Sequence, residues 1–284
     1  MKRRTFIQSL GATATAGLVT GRRSMSAFPW REKRLDRIGL ELYAVRKAMA
    51  ADPERTLAAV RAIGYSDVEL LWSFANFGRT PAQVRATLQN EGLRAPSAHM
   101  SAAVILVAWE RSLETARMLG HQYLFVPVLT PDTDQTIDYW LAWADRFNEA
   151  GAVARRYDIW VGFHNEAEHM RKIDGQVPYD AFIERLDPAV TRLQLDVGNM
   201  IIGGGDPMAY LAKYPNRYWS FHVKDVVADR KHDTRLGAGI VDFKKFFAAV
   251  PDLNEKPIYV EDEDAPDELA AARANYEFLR RLEF

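Results

Sequence analysis

Four segments of this 284-residue chain run apolar and then stop on a side chain that can bind a metal. They are Trp160-Val161-Gly162-Phe163-His164, Arg192-Leu193-Gln194-Leu195-Asp196, Tyr218-Trp219-Ser220-Phe221-His222 and Pro257-Ile258-Tyr259-Val260-Glu261. As successive strands of one parallel barrel they would bring two imidazoles and two carboxylates to a single rim, a donor set suited to a divalent cation. Each residue alone has a plainer reading. A strand-end His is usually a hydrogen-bonded structural residue, Asp196 can cap a helix, and Glu261 can belong to the solvated acidic run Glu261-Asp262-Glu263-Asp264. Ligand types at four consecutive strand ends favour a shared metal site over four separate coincidences.

The elements needed to position them are legible. Eight β-like runs close near Tyr43, Leu71, His99, Val128, His164, Asp196, His222 and Glu261, each followed by a helical pattern. A repeat of about 26–39 residues fits a β-loop-α unit, and eight units make an α/β chain folded as a single (β/α)8 TIM barrel. Asp52-Pro53-Glu54 supplies a cap, an N1 proline and a first-turn acid before Leu57, Val60 and Ile63, with Gly64 as the stop. After Pro266 the spacing sets Leu269, Ala272, Tyr276 and Leu279 on one helical face. Strand alternation puts Gln194 on the side of Asp196, Ser220 and Tyr218 on that of His222, and Tyr259 on that of Glu261. The interior beneath the rim is therefore expected to be polar.

Composition narrows the class. The net charge is -1, so no basic field suggests nucleic acid. Residues 1–27 hold Lys2, Arg3, Arg4, Arg22 and Arg23 and no acid, so their loss takes the charge to -6. Arg3-Arg4-Thr5-Phe6 before the small, weakly apolar run Ser9–Val19 resembles a twin-arginine export signal, with Ser24-Met25-Ser26-Ala27 as the cleavage region. Residues 1–27 are then a signal segment, 28–284 the barrel, and the mature protein periplasmic, handed across by the twin-arginine machinery. The run is too short and too rich in Ala, Thr and Gly for a stable membrane span. With no Cys there is no disulfide, thiolate ligand or thiol nucleophile.

From residue 36 onward the sequence resembles the sugar phosphate isomerase/epimerase group of the xylose isomerase-like barrel superfamily. The likeness rests on Ile38-Gly39-Leu40-Glu41-Leu42-Tyr43-Ala44-Val45-Arg46, Ile63-Gly64-Tyr65, Val68-Glu69-Leu70, Ser97-Ala98-His99, Leu195-Asp196, His222-Val223-Lys224-Asp225, Gly237-Ala238-Gly239-Ile240-Val241-Asp242-Phe243 and Val260-Glu261-Asp262. It implies one divalent ion (Mn²⁺, Zn²⁺, Co²⁺, Fe²⁺ or Mg²⁺) held by His164, Asp196, His222 and Glu261. It also implies α-proton abstraction from a carbohydrate through a metal-stabilised enediolate, with Glu261, Glu166 or His164 moving the proton.

One departure stands out. Relatives continue His-Asn-His with a Glu three residues beyond the second His, whereas this chain reads His164-Asn165-Glu166-Ala167-Glu168-His169. The strand-five ligand is open between His164 and Glu166, with His164 favoured by its place at the strand end. Glu69 and His99 should face the same bowl and, with Lys224 and the weaker candidate Arg46, meet substrate hydroxyls. Ordinary buried hydrogen bonding is an equal reading for Glu69 and His99.

His121 and His232 read as surface residues. Trp30, Trp72 and Trp160 offer a stacking surface for a sugar ring, although aromatics are more often core. Gly237-Ala238-Gly239 reads as a turn letting backbone approach a ligand. Gly203-Gly204-Gly205 lacks the Lys-Ser/Thr of a phosphate loop.

The expected activity is a sugar isomerase or epimerase. The alternative is a lyase on 3-keto-glycosides, in which the same proton abstraction expels a neighbouring oxygen. A metal-dependent hydrolase and a non-catalytic sugar-binding barrel come behind. A homo-oligomer is compatible with everything above.

Overall fold

The computed structural model describes residues 33–131 and 135–284. The signal-like segment 1–27 and Trp30 lie outside them. Eight parallel strands close into a barrel: β1 Gly39–Glu41, β2 Asp67–Leu71, β3 Arg94–His99, β4 Tyr123–Val126, β5 Trp160–His164, β6 Thr191–Asp196, β7 Tyr218–Val223 and β8 Ile258–Val260. Neighbours follow the chain round the ring, and β1 closes on β8. The eight-unit repeat is borne out, with strand ends within two residues of those expected.

Helices surround the barrel and start where local chemistry dictates. Asp52 accepts from the Arg55 backbone N–H and Pro53 opens helix Pro53–Ile63, which stops at Gly64 with φ 128°. Thr80 and Gln83 form a capping box on helix Pro81–Glu91. In helix Glu268–Arg281, Ala272 and Leu279 are buried, as the spacing predicted. Residues of the opposite strand parity, Leu193, Leu195, Phe221, Ile258 and Val260, are buried in the apolar core. Among the described residues no helix is long and apolar enough to cross a membrane.

Three expectations need correction. Tyr218 does not share the face of Ser220, because the β6–β7 register shifts between Leu193↔Tyr218 and Gln194↔Ser220. That irregularity turns Tyr218 outward, where it meets Tyr179 of helix Pro178–Arg185 at 3.5 Å. His121 is buried: its Nδ1 donates to the Ala95 carbonyl at 2.5 Å and its ring packs on Trp72, which removes that indole from the list of sugar platforms. Trp160 opens β5 at the end opposite His164, sandwiched between Arg155 and Arg192 at 3.8 and 3.4 Å.

Burial holds His121 neutral, with its pKa lowered to about 4, and does the same to His169, lowered to about 3. Both titrate near 6.5 once unfolded, so the unfolded chain takes up protons first. The stability these groups contribute is present above pH 6.5 and is lost as pH falls towards 4. Each proton costs about 1.4 kcal/mol per pH unit across that window. Urea midpoints measured from pH 7 to pH 5 should therefore fall, and H121N should flatten the fall by about one proton.

Candidate metal centre at the barrel rim

The polar interior begins at Gln194, fully buried in β6. Its Nε2 donates to both Glu69 oxygens at 3.0 and 3.1 Å and to Ser220 Oγ at 2.9 Å. A carboxylate cannot donate, so Glu69 fixes which way the amide points. Gln194 Oε1 must then accept from His99 Nε2 at 2.7 Å and from His164 Nδ1 at 2.9 Å. Both tautomers are settled by one amide. His164 is left with its Nε2 lone pair facing Asp196 Oδ2 at 4.0 Å and Glu166 Oε1 at 3.7 Å.

Glu69 orients the third imidazole as well. His222 Nε2 donates to Glu69 Oε2 at 2.5 Å, while Nδ1 faces Glu261 Oε2 at 2.7 Å and Asp196 Oδ2 at 4.0 Å. Ser97 donates to the other Glu69 oxygen at 2.6 Å and contacts Tyr259 OH at 2.7 Å. Every acceptor site of Glu69 is thus used inside the barrel, and the residue is fully buried.

Asp196 carries two roles on two oxygens. Oδ1 accepts from the Asn199 backbone N–H at 2.6 Å, capping helix Val197–Ile202. Oδ2 is buried without a hydrogen-bond partner among the described residues. Asn165 ties the ends of β5 and β6 together: it donates to the Asp196 carbonyl at 3.0 Å and accepts from the Asp196 N–H at 2.9 Å. The cap and the ligand reading of Asp196 are compatible rather than rivals.

One ligand atom each from His164, Asp196, His222 and Glu261 lie within 4.8 Å of one another, and all four residues are buried. The structure therefore brings together the four strand-end residues named from sequence. Glu166 sits at the edge of this group, its Oε2 held by Asn199 Nδ2 at 2.7 Å and 28% of its side chain exposed. His99 lies in the bowl, while Arg46 stands away from the cluster. Its guanidinium covers the Tyr43 ring at 4.2 Å and donates to the Tyr43 and Glu263 carbonyls at 2.9 and 3.0 Å.

Lys224 is buried among carboxylates. Its Nζ is 3.4 Å from both Asp196 Oδ2 and Glu261 Oε2, donates to Asn199 Oδ1 at 3.0 Å and pairs with Glu263. Gly198 makes room for its stem, since a Cβ there would lie 2.6 Å from Lys224 Cγ. Gly237 and Gly239 serve Asp225 instead of a ligand: their N–H groups donate to Asp225 Oδ2 at 2.9 and 3.0 Å. This corrects the expectation for that turn. Asn199 and Glu263 were not singled out from sequence, because neither ends a strand.

Electrostatics fit a cation. Burial pushes Asp196 up to about 8, with Glu261 adding to the effect and Lys224 opposing it. Burial likewise raises Glu166, against Lys224. Glu261 is held well below the usual range by Lys224 and His222 despite its burial, and Glu261 and Glu69 hold His222 well above its usual value. Carboxyls outnumber the positive groups here, and a dication would supply the missing charge. Asp196 Oδ2, which accepts no hydrogen bond among the described residues and has the Lys224 ammonium 3.4 Å away, and the two aimed imidazole nitrogens match an N/O ligand set, with outer carboxylate and amide groups fixing the rings.

The comparisons agree with this architecture. The family model for the xylose isomerase-like TIM barrel matches residues 57–282, and the chain belongs to that family. Within it, an inosose dehydratase of Clostridium tetani is 30% identical over 159 residues, 49% of this chain and 51% of that one. The chain thus spans about half the length of the curated relatives it matches in this way. A sugar phosphate isomerase/epimerase of Parabacteroides distasonis superposes with TM-score 0.74 at 24% identity, covering 87% of this chain and 98% of the other. The IolI protein with a bound zinc atom gives 0.66 at 12% identity, covering 85% and 95%.

Gln194 is the residue to remove if this order is real. Q194L should leave Glu69, Ser220 and two imidazoles short of partners and destabilise the fold by about 2–4 kcal/mol. Chemical denaturation measures this, and a loss below about 1 kcal/mol would show that the amide organises nothing.

Proposed function

We propose that this chain is a divalent-metal-dependent carbohydrate enzyme that abstracts the proton next to the carbonyl of a polyhydroxylated ketone. The supporting observation is the convergence of His164 Nε2, Asp196 Oδ2, His222 Nδ1 and Glu261 Oε2, with Glu166 at their edge. Those four residues are the ligand set we assign. A dication bound there would supply Lewis-acid polarisation of the substrate carbonyl.

The chain's own groups would do the rest. Glu166 takes the proton: Asn199 anchors one of its oxygens, the other faces the cluster, and its raised pKa brings it nearer the range where a base works well. Lys224 offsets negative charge that builds on substrate oxygens beside Asp196 and Glu261. His99 offers its ring edge to hydroxyls from the β3 side, while Glu69 acts by holding His222. Arg46 acts on the mouth through its hold on the Tyr43 and Glu263 backbone.

Two outcomes of the same abstraction remain distinct. Returning the proton to another carbon or to the other face gives isomerisation or epimerisation. Expelling the adjacent oxygen gives a lyase, and the inosose dehydratases among the relatives favour this second course. Residues 1–27 are proposed to direct the protein to the periplasm by the twin-arginine route.

Three measurements test these readings. E166Q should keep its metal by elemental analysis yet slow exchange of the substrate α-proton with solvent deuterium by about 10²–10⁴-fold. D196N should lose most of its metal, and exchange at the wild-type rate in E166Q would sink the assignment of the base. For export, replacing Arg3 and Arg4 together by Lys should leave the full-length protein in the cytoplasmic fraction, and unchanged fractionation would refute the route.

A further inference from the structure

Glu41 ends β1 and has no role in the reading above. It is 1% exposed, no donor among the described residues reaches either carboxyl oxygen, and the Glu69 carboxyl lies beside it. A buried group left this way calls for an explanation. The register sets Glu41 level with Glu69 on β2, and the Gly39↔Tyr259 and Leu40↔Val260 pairs carry it alongside Glu261. Its ligand atoms come within 4.8 Å of those of Glu69 and His99, so the carboxyl faces the bowl. His99 Nδ1 is 3.9 Å away, and Glu69 already accepts from Ser97, Gln194 and His222.

Position round the ring gives this group a task. In the strand order β1 and β5 are four strands apart in either direction, so Glu41 and Glu166 stand at opposite sides of the four-residue cluster. A cyclic ketone held over the cluster would lie between these two carboxyls. Elimination needs two such groups, a base at the α-carbon and an acid at the departing oxygen.

We propose that Glu41 is the catalytic acid of an elimination, giving its proton to the oxygen that leaves the carbon β to the carbonyl of a cyclic polyol ketone. This rests on the proton-abstraction reading above and deepens it. The α C–H bond breaks as Glu166 takes the proton, and that electron pair forms the new carbon–carbon double bond. The β C–O bond breaks with its pair going to oxygen, which takes the Glu41 proton and departs as water or an alcohol. The products are an α,β-unsaturated ketone and the leaving group, with no change in overall oxidation state. Solvent then carries a proton from Glu166 back to Glu41. Burial, with Glu69 beside it, raises the Glu41 carboxyl well above the usual range, the direction that favours a proton donor.

The test compares methyl and 4-nitrophenyl 3-keto-β-D-glucopyranosides with the metal-loaded enzyme, because only the poor leaving group needs an acid. E41Q should lose at least about 100-fold on the methyl glycoside and less than about 10-fold on the 4-nitrophenyl one. Its metal content should match wild type, and deuterium exchange at C2 should fall far less than methyl glycoside elimination does. Equal losses on both glycosides, or no loss on the methyl one, would overturn the proposal. Should E41Q fail to fold, E41D carries the same leaving-group comparison. A wild-type enzyme that exchanges the C2 proton without eliminating either aglycone overturns the role of Glu41 and leaves proton abstraction standing. One that does neither overturns both.

Discussion

A single side-chain amide fixes the chemistry available at this rim. Gln194 must turn its NH2 towards Glu69, and its carbonyl must then accept a hydrogen bond from each of two imidazoles. His164 therefore presents a bare nitrogen to the cluster, while Glu69 accepts from His222 Nε2 and so turns its Nδ1 towards Glu261. In a dry interior each misplaced proton would strand a buried donor or acceptor. The ring orientations are built in by the barrel before any ligand arrives.

Charge is the second constraint. Glu41, Glu69, Glu166, Asp196 and Glu261 converge where only His222 and Lys224 carry positive charge among the facing groups. Against the effect of burial, His99, His222 and Ser97 hold the Glu69 carboxyl down and Lys224 and His222 hold Glu261 down, while Asp196, Glu166 and Glu41 are pushed the other way. Carboxyls pushed in opposite directions thus coexist in one bowl, and a dication bound beside Asp196 and Glu261 would favour the ionised form of both. Their separation follows from position round the ring and from where Lys224 is threaded past Gly198.

The departure at His164-Asn165-Glu166 takes on a physical sense in this setting. Asn165 is spent on joining the ends of β5 and β6, which leaves its two neighbours to face the cluster from one side. His164, at the end of the strand, is buried and oriented by Gln194, whereas Glu166, beyond it, reaches the partly open edge. Of the two positions that depart from the relatives' pattern, Glu166 faces the cluster, while His169 packs on Trp140 and Phe163 and accepts from the Glu166 N–H.

The barrel was legible because period-two strands, capped helices and a regular repeat are local properties, and local sterics enforce them. His164, Asp196, His222 and Glu261 could be grouped from sequence for the same reason, since each closes an apolar run. Strand parity also foretold Gln194, Ser220 and Tyr259 inside, but failed at Tyr218, where the pairing slips. Packing across the molecule alone decided that His121 and Trp160 lie away from the rim, that the Gly237 turn wraps Asp225, and that Lys224 reaches four polar partners. Which nitrogen of His99, His164 and His222 turns to Gln194 or Glu69, and the lack of a described donor at Glu41, depend on groups up to 153 positions apart in the chain. Sequence order carries no trace of such pairings, because they exist only once closure of the ring puts distant strand ends within hydrogen-bonding range.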